Sequence, residues 1–518
     1  MDISYFTRQS FGDVARFGPG NRALGLDDDA PLTYRELAAR TQSYAQALLD
    51  LGVSAGDRVG ILLYNSVEYW IAYFAITRIG AIAVRLNFRL GAAELEYALQ
   101  DSQSSVLLAE PDLLARIDAR RPALPVDHYV YFGPAQQCPA WALPWSRLET
   151  APANEVELPL PKADDPAMIM YTSGTTGRPK GALWSHGTTA WWTAMQIMEW
   201  GFTCESVTMV TGPLYHIGAL ENYALPTLAV GGRVIVMRSK NFSIKRALEI
   251  ASSQQVTDML LFPSMIYQML QLPEIAKIDL SQLRRVFSGG DPLLPSAIEQ
   301  MRQRYGWIDI VQVYGLTEGT PIVACGGPGF SRKRPESVGR AFPFAEVSIR
   351  DDQGQPCPRG ELGEIWTRSP ANALGYWQKP EATAATFVDG WCKTGDLGIV
   401  EDGALRISGR KKDMIRSGGE NIYPAEIEDI LLRHPQIADA AVVGVPDPVY
   451  LETVCAVVVV APGTRMTEED VIAHCTQHLA GYKKPRKVVF VDELPRTASQ
   501  KVIKYQLRER LAAEPRPP

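Results

Sequence analysis

The chain has 518 residues, of which 46% are hydrophobic and 21% charged, and its formal net charge is -6. This length exceeds what one compact core usually spans, so two or more domains are expected. The acidic balance argues against the broad basic face of nucleic-acid-binding proteins. Seven cysteines without a CxxC spacing indicate reduced thiols. With no signal-peptide pattern and no apolar run of membrane-spanning length, the sequence predicts a cytoplasmic location without an integral membrane segment.

The first third of the chain alternates helical and strand patterns. Thr33 and Glu36 form a capping box that begins an apolar-periodic helix, which ends near Gly52. The next predicted elements are a strand at 59–64, a helix at 66–79, a strand at 81–86, a helix at 95–101 and a strand at 105–109. This alternation indicates βαβ units and a largely parallel sheet, and a similar rhythm runs from Met168 to about Phe287.

The last third has a different organisation. Short strands with frequent turn residues between 346 and 408 predict a small β-barrel or sheet subdomain. A compact α+β segment follows, with a helix at 424–433, strands at 440–445 and 455–460, a helix at 468–479 and a strand at 487–491. The predicted domains are therefore a large α/β domain at 1–410 and a small one at 411–518.

Residues 171–181 read YTSGTTGRPKG and follow an apolar strand. Glycines let backbone N–H groups converge on an anion, while hydroxyl groups and a lysine add further donors. Pro179 before the lysine and Gly181 after it distinguish the segment from a Walker A loop. The alternative is a flexible surface loop. The segment predicts a polyphosphate site formed by Thr172, Ser173, Gly174, Thr175, Thr176, Gly177 and Lys180.

This segment resembles the signature of the adenylate-forming superfamily, which includes acyl-CoA synthetases, non-ribosomal adenylation domains and firefly-type luciferases. Further motifs of the superfamily follow in order at 213–218, 288–292, 314–318, 394–396, 409–428 and 495–501. The likeness covers nearly the whole chain, and it is closest to the acyl-CoA synthetases. It implies a large amino-terminal domain of two sheet subdomains and a small β subdomain, followed by a mobile α+β carboxy-terminal domain.

The adenine site is expected at two of these motifs. Tyr314 offers an aromatic face on which adenine can stack, and Gly315 follows it. Gly289 and Gly290 would let the backbone approach the edge of the base. Asp291 departs from the small residue that the superfamily usually has at this position, and it is expected near the base.

The remaining nucleotide contacts are implied by the resemblance. Asp396 is expected to bind the ribose hydroxyls with help from Arg410, and Thr317 to bind the α-phosphate. Glu318 is the expected Mg²⁺ ligand, because Mg²⁺ prefers hard oxygen ligands and keeps several waters. A helix-capping role for Glu318 is the alternative.

The motif at 213–218 resembles the part of the acyl pocket that closes beside the substrate carboxylate. His216, Ile217 and Gly218 are expected there, and His216 is expected to orient the acid or gate the site. A general base is not needed, since a carboxylic acid is already ionised near neutral pH. Glu221 and Asn222 could recognise the substrate or stabilise the structure. Apolar neighbours favour a hydrophobic acid, with core packing as the alternative: Trp191, Trp192, Ala219, Leu220 and Leu225.

Lys501 is the expected catalytic lysine of the small domain. It would neutralise the approach of a carboxylate to an anionic α-phosphate, which is electrostatic stabilisation of the transition state. Gln500 replaces the glycine that commonly precedes this lysine, and Lys504 is a weaker rival. Lys412 occupies the position of the hinge about which the small domain is implied to rotate.

After that rotation, the resemblance implies that a glycine-containing loop lines the channel for the pantetheine arm of coenzyme A. The loop consists of Ser417, Gly418, Gly419 and Glu420. Its glycines would leave room for a thin thiol arm. An ordinary β-turn is the alternative.

Together these residues predict an enzyme that uses ATP, Mg²⁺ and coenzyme A to convert a hydrophobic fatty, aryl or alicyclic acid into its thioester by way of an acyl-adenylate. Transfer to a carrier-protein thiol, luciferase-like oxygenation and a non-catalytic nucleotide-binding regulator are the alternatives. The absence of an acidic residue at the start of the pocket motif disfavours an amino-acid substrate, and the intact site residues disfavour the regulator. The sequence leaves a homodimer open.

Overall fold

The computed structural model describes residues 21–151, 161–172, 178–291, 293–418, 420–496 and 502–513. Several residues of the predicted site lie outside these ranges and stay predictions: Ser173, Gly174, Thr175, Thr176, Gly177, Gly419, Gln500 and Lys501. None of the helices within the described ranges has both the length and the apolar character needed to cross a bilayer.

The strands, in chain order, are β1 (Arg22–Leu26), β2 (Leu32–Thr33), β3 (Arg58–Leu62), β4 (Ile82–Arg85), β5 (Val106–Ala109), β6 (His128–Tyr131), β7 (Leu143–Pro144), β8 (Pro166–Thr172), β9 (Lys180–Ser185), β10 (Val207–Val210), β11 (Arg233–Val236), β12 (Asp258–Leu260), β13 (Arg285–Gly289), β14 (Asp309–Tyr314), β15 (Ala324–Cys325), β16 (Arg340–Ala341), β17 (Glu346–Arg350), β18 (Gly363–Arg368), β19 (Gly375–Tyr376), β20 (Phe387–Val388), β21 (Trp391–Glu401), β22 (Ala404–Arg410), β23 (Ile415–Ser417), β24 (Glu420–Ile422), β25 (Ile437–Asp447), β26 (Leu451–Val460) and β27 (Lys487–Phe490).

The helices are α1 (Tyr34–Asp50), α2 (Val67–Arg78), α3 (Ala92–Ser102), α4 (Pro111–Ile117), α5 (Ser146–Glu149), α6 (His186–Trp200), α7 (Ile217–Leu220), α8 (Ala224–Ala229), α9 (Ile244–Ser253), α10 (Pro263–Gln271), α11 (Pro295–Arg304), α12 (Phe330–Lys333), α13 (Pro380–Thr386), α14 (Pro424–Leu432), α15 (Glu468–His478) and α16 (Lys504–Ala513). Short 3₁₀ helices span Asp118–Ala123, Ala135–Gln137, Pro273–Lys277 and Lys411–Asp413.

Two large sheets form the body of the chain. One has eight strands in the order β19-β9-β8-β4-β3-β5-β6-β7, and the other has nine in the order β16-β15-β14-β13-β12-β10-β11-β1-β2. Their central strands are parallel, with antiparallel pairs at the edges. The α/β fold predicted from alternating helices and strands is confirmed. Helix α2 is buried along most of its length and contacts both sheets, because its sequence is apolar on every face.

Two smaller sheets follow. Strands β17, β18, β20, β21 and β22 form a five-stranded antiparallel sheet from the segment in which short strands are predicted. Strands β23 to β27 form a second five-stranded sheet with its own apolar core, drawn entirely from residues beyond Asp413. Strands β25 and β26 are longer than predicted, because their antiparallel pairing continues beyond the apolar stretch into polar residues at the hairpin end.

The strand ends determine where a ligand can bind. Thr172 ends β8, Gly289 ends β13 and Tyr314 ends β14. These strands belong to the parallel parts of their sheets, and ligands of open α/β sheets bind outside the carboxyl ends of the strands. The predicted nucleotide site is therefore expected beside the carboxyl ends of these strands.

The capping box at the start of α1 forms as predicted. Thr33 Oγ1 accepts a hydrogen bond from the Glu36 backbone N–H at 3.2 Å, and the Glu36 carboxylate accepts one from the Thr33 N–H at 2.7 Å. This reciprocal pair satisfies two backbone donors that the helix itself leaves without acceptors.

We expect Thr33→Ala to lower the free energy of unfolding of the large domain by about 1 kcal/mol, because it removes the hydroxyl acceptor of the cap. Urea unfolding followed by circular dichroism measures the change. Ser43→Ala on the same helix is the control, since its exposed hydroxyl bonds only to the Ala39 carbonyl. Equal destabilisation by both variants would contradict the capping account.

Candidate active site

The segment with the strongest chemical signal begins in a β-hairpin. Strands β8 and β9 pair antiparallel, with Thr172 opposite Lys180. The Tyr171 hydroxyl donates to the Asp101 carboxylate at 2.9 Å, and the Tyr97 hydroxyl donates to the Pro179 carbonyl at 3.2 Å. Helix α3 thus holds the hairpin at both sides of its tip. The positions of Thr172 and Lys180 are set by these contacts.

Glu318 lies beside this hairpin. Its Oε1 atom accepts a hydrogen bond from the Thr172 hydroxyl at 2.7 Å and another from the Tyr376 hydroxyl at 3.2 Å. The Lys180 ammonium lies 4.9 Å from the centre of the Tyr376 ring, within the range of a cation–π contact. The structure therefore brings together Thr172, Lys180 and Glu318, as the sequence predicts.

Tyr376 is a site residue that the sequence interpretation missed. It lies on β19, whose pairing with β9 places Tyr376 opposite Ala182. Burial, together with the Glu318 carboxylate, raises the pKa of Tyr376, so its hydroxyl stays a hydrogen-bond donor at neutral pH. The only signal in the sequence is a short Gly-Tyr-Trp stretch, which does not reveal that β19 joins the hairpin.

Close contacts at the ends of β13 and β14 require glycine. A Cβ on Gly289 would lie 2.5 Å from the Val313 side chain, and one on Gly315 would lie 2.3 Å from the Pro321 carbonyl oxygen. Gly290 has a φ of +90°, which disfavours other residues. These glycines let the backbone at the two strand ends pack closely against neighbouring residues. Asp291 lies exposed at the end of this turn.

Tyr314 and Asp396 form the other half of the expected nucleoside site. The Tyr314 hydroxyl donates to Asp396 Oδ2 at 2.8 Å, and Arg410 Nε lies 3.3 Å from Asp396 Oδ1. Asp396 and Arg410 face each other across β21 and β22. Burial, with the nearby Asp396 carboxylate, raises the pKa of Tyr314 well above its usual value. The Tyr314 ring, on which adenine is expected to stack, is thus adjacent to the Asp396 carboxylate, which is expected to bind the ribose.

Thr317 is connected to the hairpin through its backbone. The indole N–H of Trp184 donates to the Thr317 carbonyl at 3.0 Å, and Trp184 is fully buried on β9. Strand β9 therefore holds Lys180 at its start and, through Trp184, the backbone of Thr317, the residue before Glu318. This contact connects the eight-stranded sheet with the end of the nine-stranded one.

His216 begins the one-turn helix α7. Its Nδ1 accepts a hydrogen bond from the Gly218 N–H at 3.1 Å, so the neutral ring carries its proton on Nε2. His216 and Gly218 are half-buried, whereas Ile217 is buried in the core shared by the two large sheets. This geometry presents the outer edge of the imidazole as a donor, which suits a group that orients a carboxylate.

Most of the apolar residues considered for the acyl pocket belong to the core. Each of these is at most 1% exposed: Trp192, Ala219, Leu220 and Leu225. Trp191, by contrast, is 46% exposed and contacts Phe344. Asn222 accepts a hydrogen bond from the Trp192 indole at 2.9 Å, and Glu221 forms a buried ion pair with Arg85. Glu221 and Asn222 therefore have structural partners.

The two neighbours of Lys412 form ion pairs with different parts of the chain. Lys411 pairs with Asp352, in the turn after β17, at 2.8 Å and with Glu364 on β18 at 3.1 Å. Asp413 pairs with Arg508 of α16 at 3.2 Å. Lys412 thus lies between a residue that pairs with the β17–β18 region and one that pairs with α16.

The glycine-containing loop joins β23 to β24. Ser417 is buried opposite Glu420, which is exposed, and the Gly418 N–H donates to the Tyr450 carbonyl at 2.9 Å. Gly418 has a φ of +59°, and a Cβ there would lie 3.0 Å from the Tyr450 ring. Glycine is therefore required at 418 for the loop to pack against the β25–β26 hairpin.

Lys504, the rival of Lys501, has a partner inside the carboxy-terminal segment. Its ammonium lies 2.7 Å from Glu428, and its side chain is mostly buried. A lysine held in this way would have to break an ion pair to reach a nucleotide. This favours Lys501 as the catalytic lysine.

A Mg²⁺ ion can be tested against the chemistry of the donors. In the described ranges there is no cluster of three His, Cys, Asp or Glu side chains that would form a complete protein cage. Glu318 supplies one carboxylate, whose Oε1 is already oriented by two hydroxyl donors. Since Mg²⁺ in nucleotide enzymes is commonly held by one or two carboxylates, phosphate oxygens and water, Glu318 fits this ion.

Comparison with known proteins agrees with this arrangement. The family model "AMP-binding enzyme" matches residues 11–377, and "AMP-binding enzyme C-terminal domain" matches residues 426–501. The chain is 38% identical to a feruloyl-CoA synthase of Amycolatopsis sp, covering 96% of the chain and 97% of that protein. It is 37% identical to an indoleacetate–CoA ligase of Aromatoleum aromaticum, covering 95% and 96%.

A solved structure shows the same fold. The crystal structure of the anthranilate CoA ligase AuaEII in complex with anthranoyl-AMP superposes with a TM-score of 0.90, at 30% identity and over 98% of both chains. With a match that spans most of its length, the chain belongs to the AMP-binding enzyme family. The predicted membership of the adenylate-forming superfamily is confirmed.

We expect Tyr376→Phe to lower kcat/KM for Mg·ATP about 10-fold, because Glu318 loses a hydrogen bond of the charged kind while Lys180 keeps its aromatic neighbour. Pyrophosphate exchange at varied Mg²⁺ measures the effect. Tyr64→Phe is the matched control, since its hydroxyl donates to the Asp112 carboxylate at 2.6 Å on an exposed surface. Unchanged kinetics for Tyr376→Phe would remove Tyr376 from the site.

Proposed function

We propose that this enzyme is an ATP-dependent acid–coenzyme A ligase that acts on an aryl or other hydrophobic carboxylic acid. The observation that carries the proposal is the meeting of Thr172, Lys180 and Glu318 beside the strand ends. Glu318 follows Tyr314 closely along the chain, and Tyr314 is hydrogen-bonded to Asp396. This arrangement offers donors and a cation for phosphates next to groups for adenine and ribose. The acids named for the related enzymes, ferulic, indoleacetic and anthranilic, all contain an aromatic ring.

In the first step, a carboxylate oxygen of the acid attacks the α-phosphorus of ATP, and the bond from this phosphorus to the bridging oxygen breaks. Pyrophosphate leaves with that electron pair, and an acyl-adenylate forms. Asp396 and Arg410 hold the ribose, Tyr314 with Gly289, Gly290 and Gly315 receives adenine, and Thr317 binds the α-phosphate. Lys180 and the signature loop hold the departing phosphates.

Glu318 would hold Mg²⁺, which when bound offsets the negative charge of the phosphate oxygens. The Thr172 and Tyr376 hydroxyls keep this carboxylate in one orientation, so no rearrangement is needed when the nucleotide arrives. Preorganisation of this kind is a main source of catalytic stabilisation, because the groups do not have to reorient during the reaction.

The main electrostatic problem of adenylation is that two anions must approach each other. We assign Lys501, in the small domain at 411–518, to neutralise the carboxylate and the α-phosphate together. Rotation about Lys412 would then exchange Lys501 for the loop of Ser417, Gly418, Gly419 and Glu420. The ion pairs of Lys411 and Asp413 support this position for the hinge, since each side is held to a different part of the chain.

In the second step, the thiolate of coenzyme A attacks the acyl carbon, and the bond from this carbon to the phosphate oxygen of AMP breaks. The thioester forms and AMP leaves. The loop at 417–420 would line the path of the thiol arm, and the packing of Gly418 against Tyr450 keeps that path narrow. Exclusion of water protects the anhydride until the thiol arrives.

Aromatic side chains pack together between the acyl motif and the nucleotide turn. Tyr223 stacks on Phe287 with 4.2 Å between ring centroids, and Trp200 lies 4.5 Å from Phe287. All three rings are buried in the core that the two large sheets share. The preference for an aromatic acid therefore rests on the acids named for the related enzymes.

The proposal is tested with a panel of ferulate, indoleacetate, anthranilate, decanoate and an alicyclic acid. We expect acid-dependent exchange of pyrophosphate into ATP, strongest for the aryl acids, and AMP release that requires coenzyme A. No exchange with any acid would favour the nucleotide-binding regulator. AMP release without a requirement for coenzyme A would favour a different acceptor.

We expect Lys501→Ala to lower the rate of adenylation about 1000-fold while thioester formation from supplied acyl-adenylate stays largely intact. The reason is that this lysine stabilises charge only in the first step. Lys504→Ala is the control, since its ion pair with Glu428 keeps it away from the nucleotide. An equal loss of both half-reactions would contradict the domain rotation.

We expect Gly419→Leu to impair thioester formation more than pyrophosphate exchange, because a branched side chain would block the thiol path without touching the nucleotide. Gly463→Leu is the control, since Gly463 lies in an open turn with no atom within 4 Å of an added Cβ. The two half-reactions are measured separately. The opposite order of effects would remove Gly419 from the channel.

A further inference from the structure

The segment 212–223 that carries His216 and Gly218 is held by side chains from other elements. The Asn65 side chain donates to the Gly212 carbonyl at 2.8 Å and accepts from the Leu214 N–H at 2.8 Å. The Gln196 side chain donates to the Glu221 carbonyl and accepts from the Tyr223 N–H, both at 2.8 Å. The segment is therefore irregular and buried, and its backbone groups need these partners.

Arg85 occupies the middle of this segment. From the end of β4, its guanidinium donates to the Leu214 carbonyl, to the His216 carbonyl at 3.2 Å and to the Glu221 carboxylate. The side chains of Arg85 and Glu221 are both fully buried. Because the guanidinium has several N–H donors in a rigid planar arrangement, it can serve all three acceptors at once.

These contacts bridge the one-turn helix α7. His216 is the residue immediately before the helix, and Glu221 is the residue immediately after it. A single helical turn has little stability of its own, since forming the first turn costs more conformational entropy than its hydrogen bonds recover. Arg85 binds both ends of α7 and so supplies what the short helix lacks.

We propose that Arg85, with Glu221 as its counter-ion, is a positioning residue for the acid substrate. It fixes the backbone on both sides of His216 and thereby places the imidazole and Gly218 beside the reacting carboxylate. Neither charged side chain touches the substrate, because both are enclosed by the core. The inference rests on the proposed function, in which His216 and Gly218 border the acid.

Stability and positioning can be separated by removing both charges. Arg85→Met alone leaves Glu221 buried without a counter-ion, which is strongly destabilising. The double variant Arg85→Met/Glu221→Met removes the carboxylate as well and replaces the pair with flexible apolar side chains that can fill the space. It still lacks the donors for the Leu214 and His216 carbonyls.

We expect the double variant to melt at a higher temperature than Arg85→Met, yet to keep a loss of about 100-fold in kcat/KM for the best acid of the panel. The KM for ATP should change little in both variants, since the nucleotide groups are on other strands. Arg58→Met is the matched control: on the neighbouring strand it donates to the Ser102 and Gln103 carbonyls at 2.9 and 2.8 Å, so it should lower the melting temperature without changing the KM for the acid.

Recovery of acid kinetics together with melting temperature in the double variant would overturn the inference. So would an equal change in the KM values for ATP and for the acid. Hydrogen–deuterium exchange supplies a readout that does not need turnover: amides of 214–222 should lose protection in the double variant and keep it in Arg58→Met. Unchanged protection would overturn the positioning role even in an active enzyme. Failure of the wild-type enzyme with every acid would instead count against the proposed function.

Discussion

The Glu318 carboxylate joins parts of the molecule that the chain places far apart. One hydroxyl reaches it from the hairpin of the eight-stranded sheet, and another reaches it from β19, which pairs with the same hairpin. Glu318 itself follows the end of β14 in the nine-stranded sheet. The groups proposed to bind phosphate and Mg²⁺ are therefore neighbours only while these two sheets keep their positions relative to each other. This junction is the constraint on which the proposed site depends.

Other parts of the proposed site also depend on close contact between different sheets. The strand ends approach closely enough that only glycine fits at Gly289 and Gly315. Tyr314, at the end of β14, donates a hydrogen bond to Asp396 on β21, so the proposed nucleoside site also draws on two sheets. The acyl segment is held in a comparable way, with Arg85 on one large sheet binding the carbonyls of a loop that follows a strand of the other.

Much of the fold was predictable from the sequence because its signals are local. The capping box of Thr33 and Glu36, the apolar helix at α2 and the alternation of strands and helices all depend on residues within a few positions of each other. The family was predictable as well, since several motifs occur in order, and the comparisons confirm it. The roles of the individual site residues, Lys501 and Lys412 among them, stay predictions.

The sequence by itself determined which chemical groups the protein has: a lysine and hydroxyls in a glycine-rich loop, a carboxylate for a cation, and aromatic rings for a base. Only the tertiary structure decided which of these groups are neighbours. Tyr376 could not be assigned to the site from its own surroundings, because its contact with Glu318 depends on a pairing between β19 and β9. The ion pair between Arg85 and Glu221 could not be predicted either, because the two residues are far apart in the sequence. Only the structure shows that both side chains are enclosed in the same core, where each charge needs the other as its partner.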